Sequence, residues 1–221
     1  MTNVLKLQHT DAAWGRVFNQ VIGGTWATVV GGVAAFALRD FFEVNASEDG
    51  VPGWTCSRVP FIFPVQTQLA SLAQLRLKKS SKSNFPAGVD NVRLIQADYG
   101  ANEALDAVNY KTIYDVGKGT AGDLGYLTDE LANDLFGVFD LTDVWNAAVV
   151  AGDPLHLAVS IGEWDYEQWP TAAGSDPTEA TVHRMKFIAP TADEEDVSNG
   201  EPHILWTPAS GAKIIGDSTV F

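Results

Sequence analysis

LFGVFDLTDVWNAAVVAGDPLHLAVSIG, residues 135–162, is the stretch on which the fold turns. A short apolar strand, Leu135–Phe139, leads into Asp140–Leu141–Thr142–Asp143. Asp140 or Thr142 can accept a hydrogen bond from the free N–H groups at a helix start. Val144, Trp145, Ala148 and Val149 recur at helical spacing and form one apolar stripe. Gly152 suits the left-handed residue that follows a helix, and Pro154 bars the helix from resuming. Leu155, Leu157, Val159 and Ile161 then alternate with His156, Ala158 and Ser160, as a half-buried strand requires. The stretch predicts a strand, a one-helix crossover and a second strand within a chain that otherwise reads as all-β.

The chain has 221 residues, 46% hydrophobic and 19% charged, a balance that favours a packed globular fold over disorder. Its formal net charge of −14 argues against nucleic acid or an anionic membrane surface as partner, because both need a basic field. A single cysteine, Cys56, excludes an internal disulfide. The opening MTNVLKLQHTDAAWG has no basic segment followed by an apolar run and a cleavage site, so no signal peptide is expected. Val17–Leu38 carries no charge and approaches the roughly 20 residues a membrane helix needs. Gly31–Gly32 between TWATVV and VAAFAL instead predicts a hairpin over Thr25–Leu38.

Along the chain, Val4–Gln8 reads as a strand, while Asp11–Val21 fits helix or strand. Residues 45–53, NASEDGVPG, read as a loop. Trp54–Gln68 reads as a strand demoted to an edge by Pro60 and Pro64. Leu69–Lys78 and Asn91–Tyr99 are strands, with KSSKSNFPAG, residues 79–88, as a polar loop between them. Ala104, Leu105 and Val108 favour a helical turn, and 115–125 reads as a glycine-rich loop. Thr181–Ile188 and His203–Thr207 are further strands, and a last strand is expected at Ala212–Ile215. The expected core is Phe61, Phe63, Leu75, Leu77, Phe139, Leu141, Trp145, Leu157, Val159, Phe187 and Leu205. His156 and His203 are expected to point outward from their strands.

Several of these segments share an order: Arg58 with Phe61 and Phe63, Ala73 with Leu75 and Leu77, Thr142 with Val144 and Trp145, and Pro202 with Ile204 and Trp206. In this the chain resembles the DNRLRE jelly-roll domain, related to disaggregatase-type and carbohydrate-binding-module sandwiches. The likeness spans residues 54–207; the front portion departs from that family's opening and the tail beyond Pro208 is extra. It implies an all-β jelly-roll β-sandwich with one short helical crossover, over residues 54–221. Residues 1–53 are then an N-terminal arm and hairpin that partly completes the sandwich, since a jelly roll needs about eight strands. Such domains occur on surface proteins and phage virion proteins.

Candidate chemistry is sparse. Trp164, Tyr166 and Trp169, with Glu163 and Asp165, fit a sugar-binding platform of aromatic faces and carboxylates. A strand that packs one face and solvates the other is the plainer reading. As a glycosidase pair, those acids need a separation of roughly 5–9.5 Å across the scissile bond. Asp193, Glu194 and Asp196 offer hard oxygens for calcium but lack the spaced Asp-x-Asp-x-Asp-Gly pattern, so a solvated acidic loop is preferred. The histidines show no metal spacing, Ser57 and Ser160 lack a nucleophile elbow, and no cofactor is expected. Trp14 and Phe18 belong to an apolar front portion that either completes the sandwich or docks on a partner; part of residues 1–24 is expected to contact another chain. The resulting expectation is a non-enzymatic structural protein of a bacteriophage virion, in its head, tail or fibre. It would contact other virion proteins and copies of itself, with no nucleic acid or membrane partner. A carbohydrate-binding module at a cell surface is the alternative, and a polysaccharide-active enzyme the second.

Overall fold

The computed structural model describes residues 1–8, 13–22, 29, 32, 36–38, 42–48, 53–83, 90–99, 107–117, 123–128, 131–161, 182–190 and 200–210. The strands are β1 (Asn3–Lys6), β2 (Arg16–Ile22), β3 (Phe36–Leu38), β4 (Phe42–Glu48), β5 (Gly53–Phe63) and β6 (Ala70–Ser83). They continue as β7 (Asp90–Gln96), β8 (Asp123–Thr128), β9 (Phe136–Asp140), β10 (Leu155–Ile161), β11 (Val182–Phe187) and β12 (His203–Pro208). Two helices are described, α1 (Asn109–Gly117) and α2 (Thr142–Ala151). The fold is all-β and sandwich-like, with every described strand pairing antiparallel.

Two long strands organise it. β5 pairs with β2 through residues 53–58, with β4 through 54–57 and with β10 through 59–63. β6 pairs with β12 through 70–76, with β11 through 79–83 and with β9 through 74–78. The β4–β11 pair bridges the two. Beyond β10 the order continues through β7 to β8. There the sheet folds back on itself: a Cβ on Gly137 of β9 would collide with the Leu127 side chain of β8. Glycine at 137 leaves room for that side chain. The core enclosed holds Phe42, Phe61, Phe63, Leu75, Leu77, Leu94, Phe139, Leu157 and Phe187.

Residues 135–161 fold as their sequence reads. Asp140 Oδ1 accepts hydrogen bonds from the Thr142 backbone N–H at 2.9 Å and its hydroxyl at 2.7 Å. These bonds hold the Asp140 carboxyl below its usual pKa. Gly152 is left-handed at φ 75° and donates its N–H to Ala148 O. Trp145 is buried, donates Nε1–H to Gln68 O at 3.0 Å and packs on Trp206 at 5.1 Å between ring centroids. Asn146 clamps the start of β6 by accepting from Ala70 N and donating to Ala70 O. Thr142 Oγ1 accepts from Ala73 N at 3.1 Å.

Other expectations are corrected. β6 runs on to Ser83 through most of what reads as a polar loop, because its serines lie opposite Arg184 and Lys186 of β11. Polar residues are stable in a strand when a neighbour takes their backbone bonds. Phe36–Leu38 pair with Arg16–Phe18, and Val29 has helical backbone where the expected hairpin needs a strand; residues 25–28, 30 and 31 of that hairpin lie outside the described residues. β2 resolves residues 16–21 of the ambiguous 11–21 stretch as strand. β5 is internal and not an edge: the Pro60 carbonyl accepts from Gly15 N while Ala158 faces Pro60 from β10. Pro64 stands just past the strand's end, so Pro60 is the strand's one missing N–H. Ile204, not Leu205, is the core residue of β12, and His203 is buried; the pleat is offset by one position from the expected one. A strand at 123–128 was not expected.

The described front residues belong to this sheet. β1 pairs with β12, and β2 with β5, so deleting residues 1–24 removes two paired strands together with Leu7 and Trp14 of the core. The expected last strand at 212–215 lies outside the described residues. Trp145→Ala should cost about 3–5 kcal/mol in urea melts, because a large buried side chain leaves a cavity and orphans the Gln68 carbonyl; a loss below about 1 kcal/mol would refute its place in the core.

Candidate functional site

The largest set of linked charges in the described fold lies on one face of β2, β5, β4, β11 and β6. Register places Phe18, Ser57, Asn45, Arg184 and Ser83 in one row across these strands. The next row holds Glu43 opposite Lys186, followed by Ser81. Alternation along FEVNASE drives this: Phe42 and Val44 turn into the core, so Glu43 and Asn45 take the other face.

Glu43 is buried. Its Oε2 lies 3.1 Å from Lys186 Nζ, and its Oε1 lies 3.5 Å from Arg16 Nη1. Asn45 Nδ2 donates to the same Oε1 at 3.4 Å. The Ser57 hydroxyl accepts from Asn45 N at 2.9 Å and donates to Glu43 O at 3.2 Å. Both carboxylate oxygens are therefore taken up by cations, and the hydroxyl by backbone. As a general base the carboxylate would have to reach a substrate proton; as arranged, it joins three strands. Arg16 also lies over the Phe18 ring at 5.2 Å.

A second polar knot covers the other face of β5. Arg58 is fully buried, stacks 3.7 Å above the Tyr110 ring and donates Nη1–H to Tyr110 O at 2.5 Å. Tyr110 Oη donates to Val29 O at 2.8 Å, and Asn19 Nδ2 donates to the same carbonyl at 3.0 Å.

Two histidines are tied to backbone. His156 Nδ1 accepts from Tyr99 N at 3.1 Å, with the rings stacked at 5.1 Å, and Tyr99 Oη donates to Leu157 O. Its burial lowers the pKa below the usual imidazole value, against the raising influence of Asp98 and Asp153. His203 Nδ1 lies 2.7 Å from Glu201 O, which accepts its proton. Burial, with the positive charges of Arg76 and Lys6, lowers its pKa against the raising effect of that bond.

Of the residues singled out in the sequence, Glu163, Trp164, Asp165, Tyr166 and Trp169, and Asp193, Glu194 and Asp196, lie outside the described residues. Trp14 is buried in this chain's own core, 5.9 Å from the Phe42 ring, and bridges to Phe61. Phe18 is half-buried on the polar face under Arg16. Among the described residues, no three His, Cys, Asp or Glu side chains gather as a metal set, and no helix is long and apolar enough to cross a membrane. Sequence reasoning passed over Glu43 and Lys186, and marked Arg58 only as a motif residue. The available signal was cross-strand: FEVNASE and VHRMKF place opposite charges at matching positions once paired.

No family model and no curated protein matches the chain. Around α2, Ala73 N donates to Thr142 and Trp145 packs on Trp206, while Leu75 pairs with Ile204 between β6 and β12.

Glu43→Gln should destabilise the fold by about 2–3 kcal/mol, because it leaves Lys186 and Arg16 facing a neutral amide in a largely dry site. A chemical melt reads this, and a loss within about 0.5 kcal/mol contradicts the network. Both histidines are depressed in the folded state, so folding favours their neutral forms. That stability is complete above the unfolded value of 6.5 and falls as pH drops below it. Charging His156 at Nδ1 also removes the acceptor of Tyr99 N–H. The melting temperature should fall between pH 7.5 and 5.5, and His203→Asn should flatten the slope.

Proposed function

We propose that the chain is a non-enzymatic structural protein of a bacteriophage virion, built on a jelly-roll form of the sandwich. The observation that carries this reading is the use of its interior charge. Glu43, Arg16, Lys186 and Arg58 join strands and cover faces, and Ser57 and the histidines are bound to backbone. Such groups hold a shell component rigid, whereas catalysis needs a nucleophile or base within reach of a substrate. The packing of the DNRLRE-like segments around α2 supports the jelly-roll form, and jelly rolls serve as capsid as well as lectin domains. Fold alone does not select among these roles.

Peptide mass spectrometry of purified phage particles from the culture that encodes the chain should recover its peptides in stoichiometric amount. The purified chain should turn over no member of a polysaccharide panel. Absence from the particles, or turnover abolished by Glu163→Gln or Asp165→Asn, overturns the reading. Glycan binding lost in both Trp164→Ala and Trp169→Ala would replace it with a carbohydrate-binding module.

A further inference from the structure

The outer face of β1, β12, β6 and β9 has a composition unlike the chain as a whole. Register sets Lys6, His203, Arg76 and Val138 in one row, and Val4, Leu205, Gln74 and Asp140 in the next. Leu72 lies beyond, opposite Thr207, and Lys78 at the other end lies opposite Phe136. Val4 is 49% exposed, Leu72 41% and Val138 44%. Exposed Val4, Leu72 and Val138 are thus interspersed with Lys6, Arg76 and Lys78, on a chain with 28 acidic and 14 basic residues.

The positive character of the face is felt inside the fold: Arg76 and Lys6 both work against a charge on His203. Arg76 Nε is buried and has no hydrogen-bond acceptor among the described residues. Asp134 approaches Lys78 only at 3.9 Å, with its own side chain 81% exposed, a pairing of small worth.

The complement lies on α2. Asp143, Ala147 and Val150 are exposed at positions i, i+4 and i+7, one ridge of the helix, and exposed Asp153 follows the helix end. Val150 is 70% exposed, the most exposed large apolar side chain described apart from Met1. This ridge is apolar with an acid at either end; the sheet face intersperses exposed apolar side chains with cations. We infer that the outer face of β1–β12–β6–β9 docks the α2 ridge of a second copy of this chain. Joining unlike surfaces makes the contact heterologous, and repetition builds a ring or a filament. The inference deepens the structural reading above by naming the surfaces through which copies meet.

Sedimentation velocity of the full chain over a concentration series tests it. Self-association that weakens with added salt is expected. Val138→Asp on the face and Val150→Asp on the ridge should each raise the dissociation constant about tenfold or more, with circular dichroism and melting unchanged. Lys78→Glu is a second face variant and decides the face if Val138→Asp fails to fold. Mixing the face and ridge variants should yield a two-chain species and nothing longer, because only one intact pair of surfaces remains. A full chain that stays monomeric at every concentration and salt overturns the inference, as does unchanged association in the folded variants. The proposed function fails separately: a chain absent from phage particles can keep this contact, and a chain present in them can lose it.

Discussion

A guanidinium with no solvent exposure lies in the strand that the rest of the sheet shares. Moving an arginine out of water costs several kcal/mol unless its hydrogen bonds and charge are met within the fold. Tyr110 supplies a carbonyl to Arg58 and a ring face beneath it, a cation–π contact strengthened by desolvation. Tyr110 is in turn held by the Val29 carbonyl, which Asn19 of β2 also engages. One buried charge therefore ties α1, Val29 and β2 to β5. Phe61 and Phe63 of the same strand pack in the aromatic core with Phe42, and Arg58 packs on Tyr110 of α1. A strand so covered can serve as the shared member of several pairings, since each partner meets an already rigid backbone.

The second shared strand is secured differently. β6 carries no charge comparable to Arg58 at its start; α2 grips it through backbone. Asn146 closes a pair of hydrogen bonds with Ala70, Thr142 accepts from Ala73, and Leu141 N donates to Ala73 O. Trp145 and Trp206 then seal the inner face. Because α2 links β9 on β6 to β10 on β5, the crossover fixes how the two shared strands sit against each other. Local chemistry governs that crossover, with an aspartate at its start and a left-handed glycine at its end, so it was legible in the sequence.

What was not legible depended on partners distant in sequence. The pairing of Phe36–Leu38 with Arg16–Phe18, whose backbone is already aligned along β5, has no local signal in the sequence. The serines of β6 look like a loop until β11 is placed beside them. The Ile204 and Leu205 assignment differs by one residue, which in a strand exchanges inside for outside. Glu43 lies between Phe42 and Val44, a setting that alternation marks as solvent-facing; Lys186 of neighbouring β11 and Arg16 of β2, beyond β5, turn that outward face into a dry one. The residues flagged for chemistry were chosen by type and local spacing, whereas the charged network formed from residues brought together by register.

The same register accounts for the contrast between the two polar faces. On the Glu43 face a carboxylate stands between Lys186 and Arg16, so the charges are answered within the chain. On the β1–β12–β6–β9 face the corresponding rows place Lys6, His203 and Arg76 side by side, with Asp140 displaced to the neighbouring row beyond Gln74. Asp140 is moreover bound by both Thr142 donors, which commits one of its oxygens to starting α2. Lys6, Arg76 and Lys78 stand beside exposed valine and leucine, in a molecule whose net charge repels its own copies at long range. In the contact inferred above, long-range repulsion with short-range complementarity makes association selective for orientation, because the basic side chains of this face lower the electrostatic cost of approach there.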